Sequence, residues 1–199
     1  MKLVLASKNQ KKLVEMNEIL SHLGIQVCSE AEAGVDVEVE ETGTTFEENS
    51  LLKARAVMEA SGMPAIADDS GLCVDALNGA PGVYSARYGG EGLDDVGRYR
   101  LLLENMRGQT PRTAKFVSVI TCCFPNGDVL SARGECPGTI AFAPMGEGGF
   151  GYDPVFFIPS LKKTFAQLSP EEKNAISHRG KALEAFQVKL EEYLGEDRS

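Results

Sequence analysis

Residues 67–74 read Ala-Asp-Asp-Ser-Gly-Leu-Cys-Val and follow Met-Pro-Ala-Ile directly, which sets Asp68 and Asp69 between apolar runs that read as buried. An unpartnered buried carboxylate costs on the order of several kcal/mol, and two neighbours also repel. Cations or a metal ion must therefore come from elsewhere in the chain. Successive residues of an extended chain point to opposite sides, so one Asp can hold structure while its neighbour faces a cavity. An Asx-turn at a strand end is the other reading.

Four further stretches carry residue types that suit phosphate chemistry. Ser7-x-Asn9-x-x-Lys12 falls where an apolar run gives way to a helical pattern, and a helix N-terminus there offers free N–H groups and a positive dipole end to an anion. Glu40 and Glu41 precede a helix, where capping is not their task; carboxylate oxygens suit Mg²⁺, which keeps several waters for phosphates. Asn49 and Lys53 follow, one helical turn apart on one face. Lys173 lies one turn before Ser177-His178-Arg179, and these can supply cations and donors or an ordinary solvated face.

Gly146-x-Gly148-x-x-Gly151 satisfies the letter of the dinucleotide fingerprint but not its context. Pro144 precedes it and Tyr-Asp-Pro-Val-Phe-Phe-Ile-Pro follows, where a strand and a helix start would be needed. A loop that closes on a ligand, with Phe150 or Tyr152 available to stack on a base, fits better. The chain has no G-x-x-x-x-G-K-[ST], which excludes a P-loop ATPase or kinase.

The elements that must position these residues follow from periodicity. Residues 2–6 read as a strand, and Leu13, Met16, Ile19, Leu20 and Leu23 recur at helical spacing up to Gly24. Residues 25–40 hold two strand-like runs, the second alternating as Val-Asp-Val-Glu-Val-Glu. Paired Thr44 and Thr45, each with a Glu three residues on, cap a helix over 46–61 that Gly62 ends. Met-Pro-Ala-Ile-Ala and Gly-Leu-Cys-Val-Asp-Ala-Leu read as two strands on either side of the Asp pair, and 78–92 as a Gly-rich loop. A helix runs from Asp94 or Asp95 to Met106, and 115–124 with the turn Pro-Asn-Gly-Asp predicts a hairpin. Gly-Thr-Ile-Ala-Phe and Val-Phe-Phe-Ile-Pro read as further strands, and Ser169-Pro170-Glu171-Glu172 opens a last helix to Leu194. This is an α/β pattern with a mixed sheet flanked by helices.

The chain has 199 residues, 43% of them hydrophobic and 25% charged, as in a soluble globular protein. No apolar stretch suits a membrane span or a secretory signal, so the expected compartment is the cytoplasm. A net charge of -9 argues against binding a nucleic-acid polymer, but not against one small anion met by a few gathered cations. The five cysteines are odd in number and hold no C-x-x-C pair, which reads as reduced, partly buried thiols; adjacent Cys122 and Cys123 would face opposite sides of a strand.

Six stretches in order, SKNQKK, EETGTTFEENSLLKA, AIADDSGL, GAPGVYSARY, GGFGYDPVF and EEKNAISHRGKAL, resemble the inosine/xanthosine triphosphate pyrophosphatase family and span nearly the whole chain. The resemblance implies one domain over 1–199, an elongated mixed sheet with two lobes around a nucleotide cleft, and a homodimer. It implies hydrolysis of ITP, dITP and XTP to the monophosphate and pyrophosphate with Mg²⁺. Ser7, Lys8, Asn9, Gln10, Lys11 and Lys12 would hold the triphosphate, with Asn9 and Lys12 foremost and Lys53 assisting. Glu40 and Asp69 would bind the metal, with Glu41 or Asp68 behind them, and Asp69 would be the base. Ser70, Phe150, Gly151, Tyr152, Asp153, Lys173, His178 and Arg179 would surround the sugar and base, where a donor from His178 or Arg179 would meet a 6-keto oxygen. Lys8 stands where the family often has a small residue. Rival readings are a pyrophosphatase for modified pyrimidine nucleotides and a non-catalytic nucleotide sensor.

Overall fold

A computed structural model describes residues 1–196. Seven strands form one mixed sheet in the order β2-β1-β3-β4-β5-β6-β7. They are β1 (Lys2–Leu5), β2 (Gln26–Cys28), β3 (Ala65–Val74), β4 (Thr113–Cys123), β5 (Val129–Ile140), β6 (Phe156–Ile158) and β7 (Lys163–Thr164). The helices are α1 (Gln10–Leu20), α2 (Phe46–Ser61), α3 (Asp95–Asn105), α4 (Pro170–Ile176) and α5 (His178–Glu196). Strand β1 runs parallel to β2 and β3, whereas β6 is antiparallel to β5 and β7. No described helix is long and apolar enough to cross a membrane.

The described residues divide into two compact units, the first comprising 1–69, 118–134 and 178–196 and the second 70–117 and 135–177. In the first unit the period of two along each strand sorts the core into two layers. Leu3, Leu5, Ile66, Ile120 and Cys122 pack with Met16 and Leu20 of α1 and Leu183 and Phe186 of α5. Val4, Ala6, Ala65, Ala67 and Cys123 pack on the other face with Ala54 and Val57 of α2. Cys122 and Cys123 thus face opposite sides, as their adjacency predicts, and all five cysteines are free. The second unit centres on Phe116, Phe156 and Phe165, whose ring centroids lie 4.5, 5.5 and 4.9 Å apart, with Leu102 of α3 and Leu72 of β3 in the same core.

Local signals set most boundaries. Thr45 Oγ1 accepts from Glu48 N to start α2, and Gly62, at φ 68°, ends it in the left-handed region that glycine adopts without strain. Asp94 caps α3, and Ser169 and Glu172 form the reciprocal capping box of α4 with Pro170 at its first position.

Four expectations differ. The two runs around the Asp pair are one ten-residue strand, β3, because a cationic side chain pairs with each carboxylate, Arg179 with Asp68 and Lys53 with Asp69, and the ladder need not break. Gly-Thr-Ile belongs to β5 and is not a separate strand, while Ala141 and Phe142 lie beyond its end. Residues 35–40 keep their alternation, with valines half-buried and acidic residues exposed, but pair with no strand; the buried Glu30 carboxylate accepts from Val37 N at 3.1 Å instead. The last helix breaks at Ser177, whose φ of -68° and ψ of 157° are extended, so His178 opens α5.

That opening turn lies against β5. A Cβ at Gly134 would stand 2.2 Å from the carbonyl oxygen of His178 and 2.4 Å from Ala182 N, both backbone atoms that cannot swing aside. Gly134→Ala is therefore expected to lower stability by about 1–3 kcal/mol, read from the urea midpoint. Burial and the neighbouring Cys123 push the Cys122 thiol up to about 12. At pH 8 it stays protonated, and native protein is expected to leave Cys122 unalkylated by iodoacetamide while urea-unfolded protein is labelled there.

Candidate active site

Strand β3 separates the two aspartates. Ile66 packs on the α1 and α5 face and Ala67 on the α2 face, so alternation sends Asp68 after Ile66 and Asp69 after Ala67. Asp68 is fully buried, and its Oδ2 accepts from Arg179 Nε at 2.7 Å and from Ser118 Oγ at 2.9 Å. Lys12 Nζ stands 3.5 Å from Asp68 Oδ1. Arg179, itself buried, also donates from Nη1 to Glu15 Oε1 at 2.6 Å. Burial works against the Arg179 charge, but Asp68 and Glu15 outweigh it and hold the guanidinium above its usual value.

Asp69 has different company. Its Oδ1 accepts from Lys53 Nζ at 3.1 Å, and that ammonium also donates to Asp68 O at 2.9 Å and pairs with Glu41 Oε1 at 3.1 Å. Asp69 Oδ2 is buried and has no hydrogen-bond partner. Burial raises the Asp69 pKa further than Lys53 lowers it, so the carboxylate is more basic than usual. For Lys53 burial opposes the charge, yet Asp69 and Glu41 prevail and shift it upward. Burial pulls Lys12 downward despite Asp68.

Helix α1 completes the cationic side. Asn9 is its N-cap, and its Oδ1 accepts from Lys11 N at 3.0 Å and Lys12 N at 3.4 Å, while Ser7 Oγ accepts from Asn9 N at 3.1 Å. No acidic residue occupies the first turn; Gln10, Lys11 and Lys12 do, which opposes the helix dipole unless an anion binds there. Lys8 pairs with Asp36 at 2.8 Å and Glu38 at 2.5 Å, which hold its ammonium charged and fasten residues 36–38. Ser7, Lys8, Lys12, Glu41 and Lys53 line a cavity of about 250 Å³. Glu40 is exposed, and Glu41 is the carboxylate seated beside Lys53 and Asp69. Among the described residues no three His, Cys, Asp or Glu side chains form a ready-made metal cage.

In the second unit Asp153 organises the glycine-rich loop. Its Oδ2 accepts from Lys173 Nζ at 2.8 Å and from Phe150 N at 3.1 Å. A Cβ at Gly149 would stand 2.1 Å from that oxygen, so the glycine there serves close approach and not a dinucleotide turn. The Lys173 ammonium is buried and lies 4.8 Å from the Phe150 ring centre, a cation–π arrangement. Gly151 N donates to Asp95 Oδ2 at 3.0 Å. Tyr152 is buried and donates from its hydroxyl to Ser85 O at 2.6 Å, which leaves Phe150, half-buried, as the ring able to stack on a base. Ser70 is half-buried on β3, directly after Asp69.

Of the residues expected from the sequence, Ser7, Lys8, Lys12 and Lys53 converge in the first unit with Asp68 and Asp69 beside them. Arg179 does not present a free donor for a base, because it is committed to Asp68 and Glu15. Glu15 and Ser118 were missed. Their signals were present: Glu15 stands three residues after Lys12 on one helix face, and Ser118 is a polar residue within an apolar strand.

The sequence profile of the Ham1 family matches residues 3–189. The chain is a member of the Ham1 family. It is 53% identical over 185 residues to the dITP/XTP pyrophosphatase of Desulforamulus reducens, covering 92% of each chain. It is 52% identical over 193 residues to that of Haemophilus influenzae, covering 95% of this chain and 98% of the relative. The Ham1 protein of Staphylococcus aureus superposes with a TM-score of 0.86 at 45% identity, covering 97% of this chain and all of that one.

The two aspartates should separate experimentally. Asp68→Ala removes the carboxylate paired with the buried Arg179 guanidinium and is expected to cost about 3 kcal/mol of stability. Asp69→Ala removes a carboxylate whose burial already disfavours its charge, and Lys53 keeps Glu41; its expected cost is under about 1 kcal/mol. Urea unfolding of both variants measures the difference.

Proposed function

We propose that this Ham1 protein hydrolyses the non-standard purine nucleoside triphosphates ITP, dITP and XTP to the monophosphate and pyrophosphate, removing deaminated purines from the nucleotide pool. One observation carries the reading: a buried carboxylate oxygen without a partner, Asp69 Oδ2, in a site where Lys12 and Lys53 line a cavity. The relatives named dITP/XTP pyrophosphatase, matched over nearly their whole length, supply the substrate class.

The chain's own groups account for the chemistry. The first turn of α1, with Asn9, Lys11 and Lys12, and Lys53 on α2 receive the triphosphate, and its negative charge removes the mismatch between lysines and the helix dipole. Asp69, made more basic by burial, accepts the proton of a water that attacks the α-phosphorus. Lys53, fixed by Asp69, Glu41 and the Asp68 carbonyl, stabilises charge that develops on the phosphate oxygens.

The donor set fits Mg²⁺, a hard cation satisfied by one or two carboxylates plus phosphates. Asp69 would hold it, with a second carboxylate from the Glu40–Glu41 pair, of which Glu41 is the nearer to Lys53. Bound there, the ion would neutralise phosphate charge.

Base selection falls to a ring N–H donor from His178, because Arg179 is committed to Asp68 and Glu15 and Lys173 to Asp153. A donor favours a 6-keto oxygen and leaves adenine's amino group unmatched, worth roughly tenfold to a hundredfold in preference. The free cysteines suit a reducing compartment, the cytoplasm, and a homodimer is the expected assembly.

A substrate panel with Mg²⁺ tests the reading. ITP, dITP and XTP are expected to release pyrophosphate, ATP to react at least about tenfold more slowly, and Asp69→Asn to lose turnover while still binding ITP. Orthophosphate as first product, or a preference for modified pyrimidine triphosphates, would overturn it. Comparing Glu40→Gln with Glu41→Gln at varied Mg²⁺ identifies the second carboxylate.

A further inference from the structure

A second cavity, of about 440 Å³, lies in the second unit and shares no residue with the groups assigned above. Arg100, Leu103 and Glu104 from α3, then Arg107 and Arg112, and Phe142 beyond β5 line it. Its volume falls within the range of roughly 300–1,000 Å³ typical of small-molecule sites. In a chain of net charge -9, three guanidiniums against one carboxylate form a local excess of two positive charges.

The Phe142 ring is the most exposed large apolar side chain among the described residues, at 84%. It is nevertheless held in place, because the Arg112 guanidinium lies over the ring with its carbon 4.1 Å from the centre. Arg112 is anchored in turn by donating to three carbonyl oxygens, those of Ile140, Met106 and Ala141, each at 2.9 Å. Those carbonyls fix the guanidinium without cancelling its charge. The other face of Phe142 is open, and Arg100 and Arg107 project from exposed positions at the same cavity. An anchored ring with a free face and two positive charges in excess presents a stacking surface beside an anion site.

We propose that this cavity is a second binding site, and that its ligand is a nucleoside monophosphate: the base stacks on Phe142, and the phosphate is taken by Arg100 and Arg107. The charge selects the phosphorylation state. A phosphate monoester carries about -1.5 to -2 at pH 7, which matches the local excess, whereas a triphosphate would exceed it. Planarity of the base is required by the ring, since a sugar phosphate alone would leave Phe142 uncovered. The site is independent of the reaction proposed above, although the monophosphate that reaction releases belongs to the ligand class.

Calorimetric titration of the purified chain with inosine 5′-monophosphate tests this, with inosine and ribose 5-phosphate as probes that lack one half of the ligand. Binding that weakens roughly tenfold to a hundredfold in both Phe142→Ala and Arg107→Ala, with ITP turnover unchanged in each, is the expected result. Inosine and ribose 5-phosphate should each bind at least about tenfold more weakly than the monophosphate. Binding that is the same in wild type and both variants would overturn the proposal, as would equal binding of inosine. A wild-type dimer that Phe142→Ala dissociates, with no effect of either variant on monophosphate binding, would also overturn it and assign the face to a second copy. If turnover of ITP is absent but the variant-sensitive binding persists, the functional reading fails and this one stands.

Discussion

The buried pair of Asp68 and Arg179 is the constraint on which the first unit depends. Neither group could be buried alone, because an isolated charge in a protein interior costs more than a domain of this size can absorb. Together, with Ser118 and Glu15 completing the hydrogen bonds, they tie the middle of the sheet to α5 and, through Glu15, to α1. The break at Ser177 and the glycine at 134 follow from that demand. Arg179 must sit in the opening turn of a helix that approaches β5 closely, and a continuous helix through 170–194 would present a different face at residue 179.

Once Asp68 is fixed, the alternation of β3 places Asp69 on the other face, within reach of α2. Lys53 then serves three acceptors at once, and this is why it remains charged although buried. The arrangement is asymmetric in a useful way. Asp68 uses both carboxylate oxygens on protein groups, whereas Asp69 uses one and keeps the other unpaired. A structure selected for stability alone would not leave a buried acceptor unmatched, so the orphaned oxygen is where function shows through the fold.

Much of this was legible in the sequence because it rests on local rules. The caps of α2, α3 and α4 are each written within four residues, and the opposite orientations of Cys122 and Cys123 follow from period alone. The Asp pair was recognisable as a pair needing cations, and its division was implied by alternation. What could not be read were choices made by partners distant in sequence. Arg179 and Asp68 are 111 residues apart, and nothing near either shows that the arginine is spent inside the protein and not on a base. Likewise, Glu40 and Glu41 are equivalent in composition, and only the position of Lys53 distinguishes them. The alternation over 35–40 suits a strand with one wet face, yet no ladder forms there: the buried Glu30 carboxylate accepts from Val37 N in place of a neighbouring strand's carbonyl.

A net charge of -9 and a polyanionic substrate conflict only if charge is averaged over the surface. At physiological ionic strength exposed charges are screened beyond about 8 Å, so most of the acidic exterior acts weakly on a ligand already at the site. Buried or half-buried cations such as Lys12 and Lys53 are screened far less, and their field dominates there. The Lys53 charge is held by Asp69 and Glu41, whereas Asp68 only partly offsets the burial that pulls Lys12 downward. Acidic residues are therefore the means by which the chain keeps Lys53 charged and orients both lysines in a partly dry cavity, and an acidic composition and phosphate chemistry come from the same arrangement.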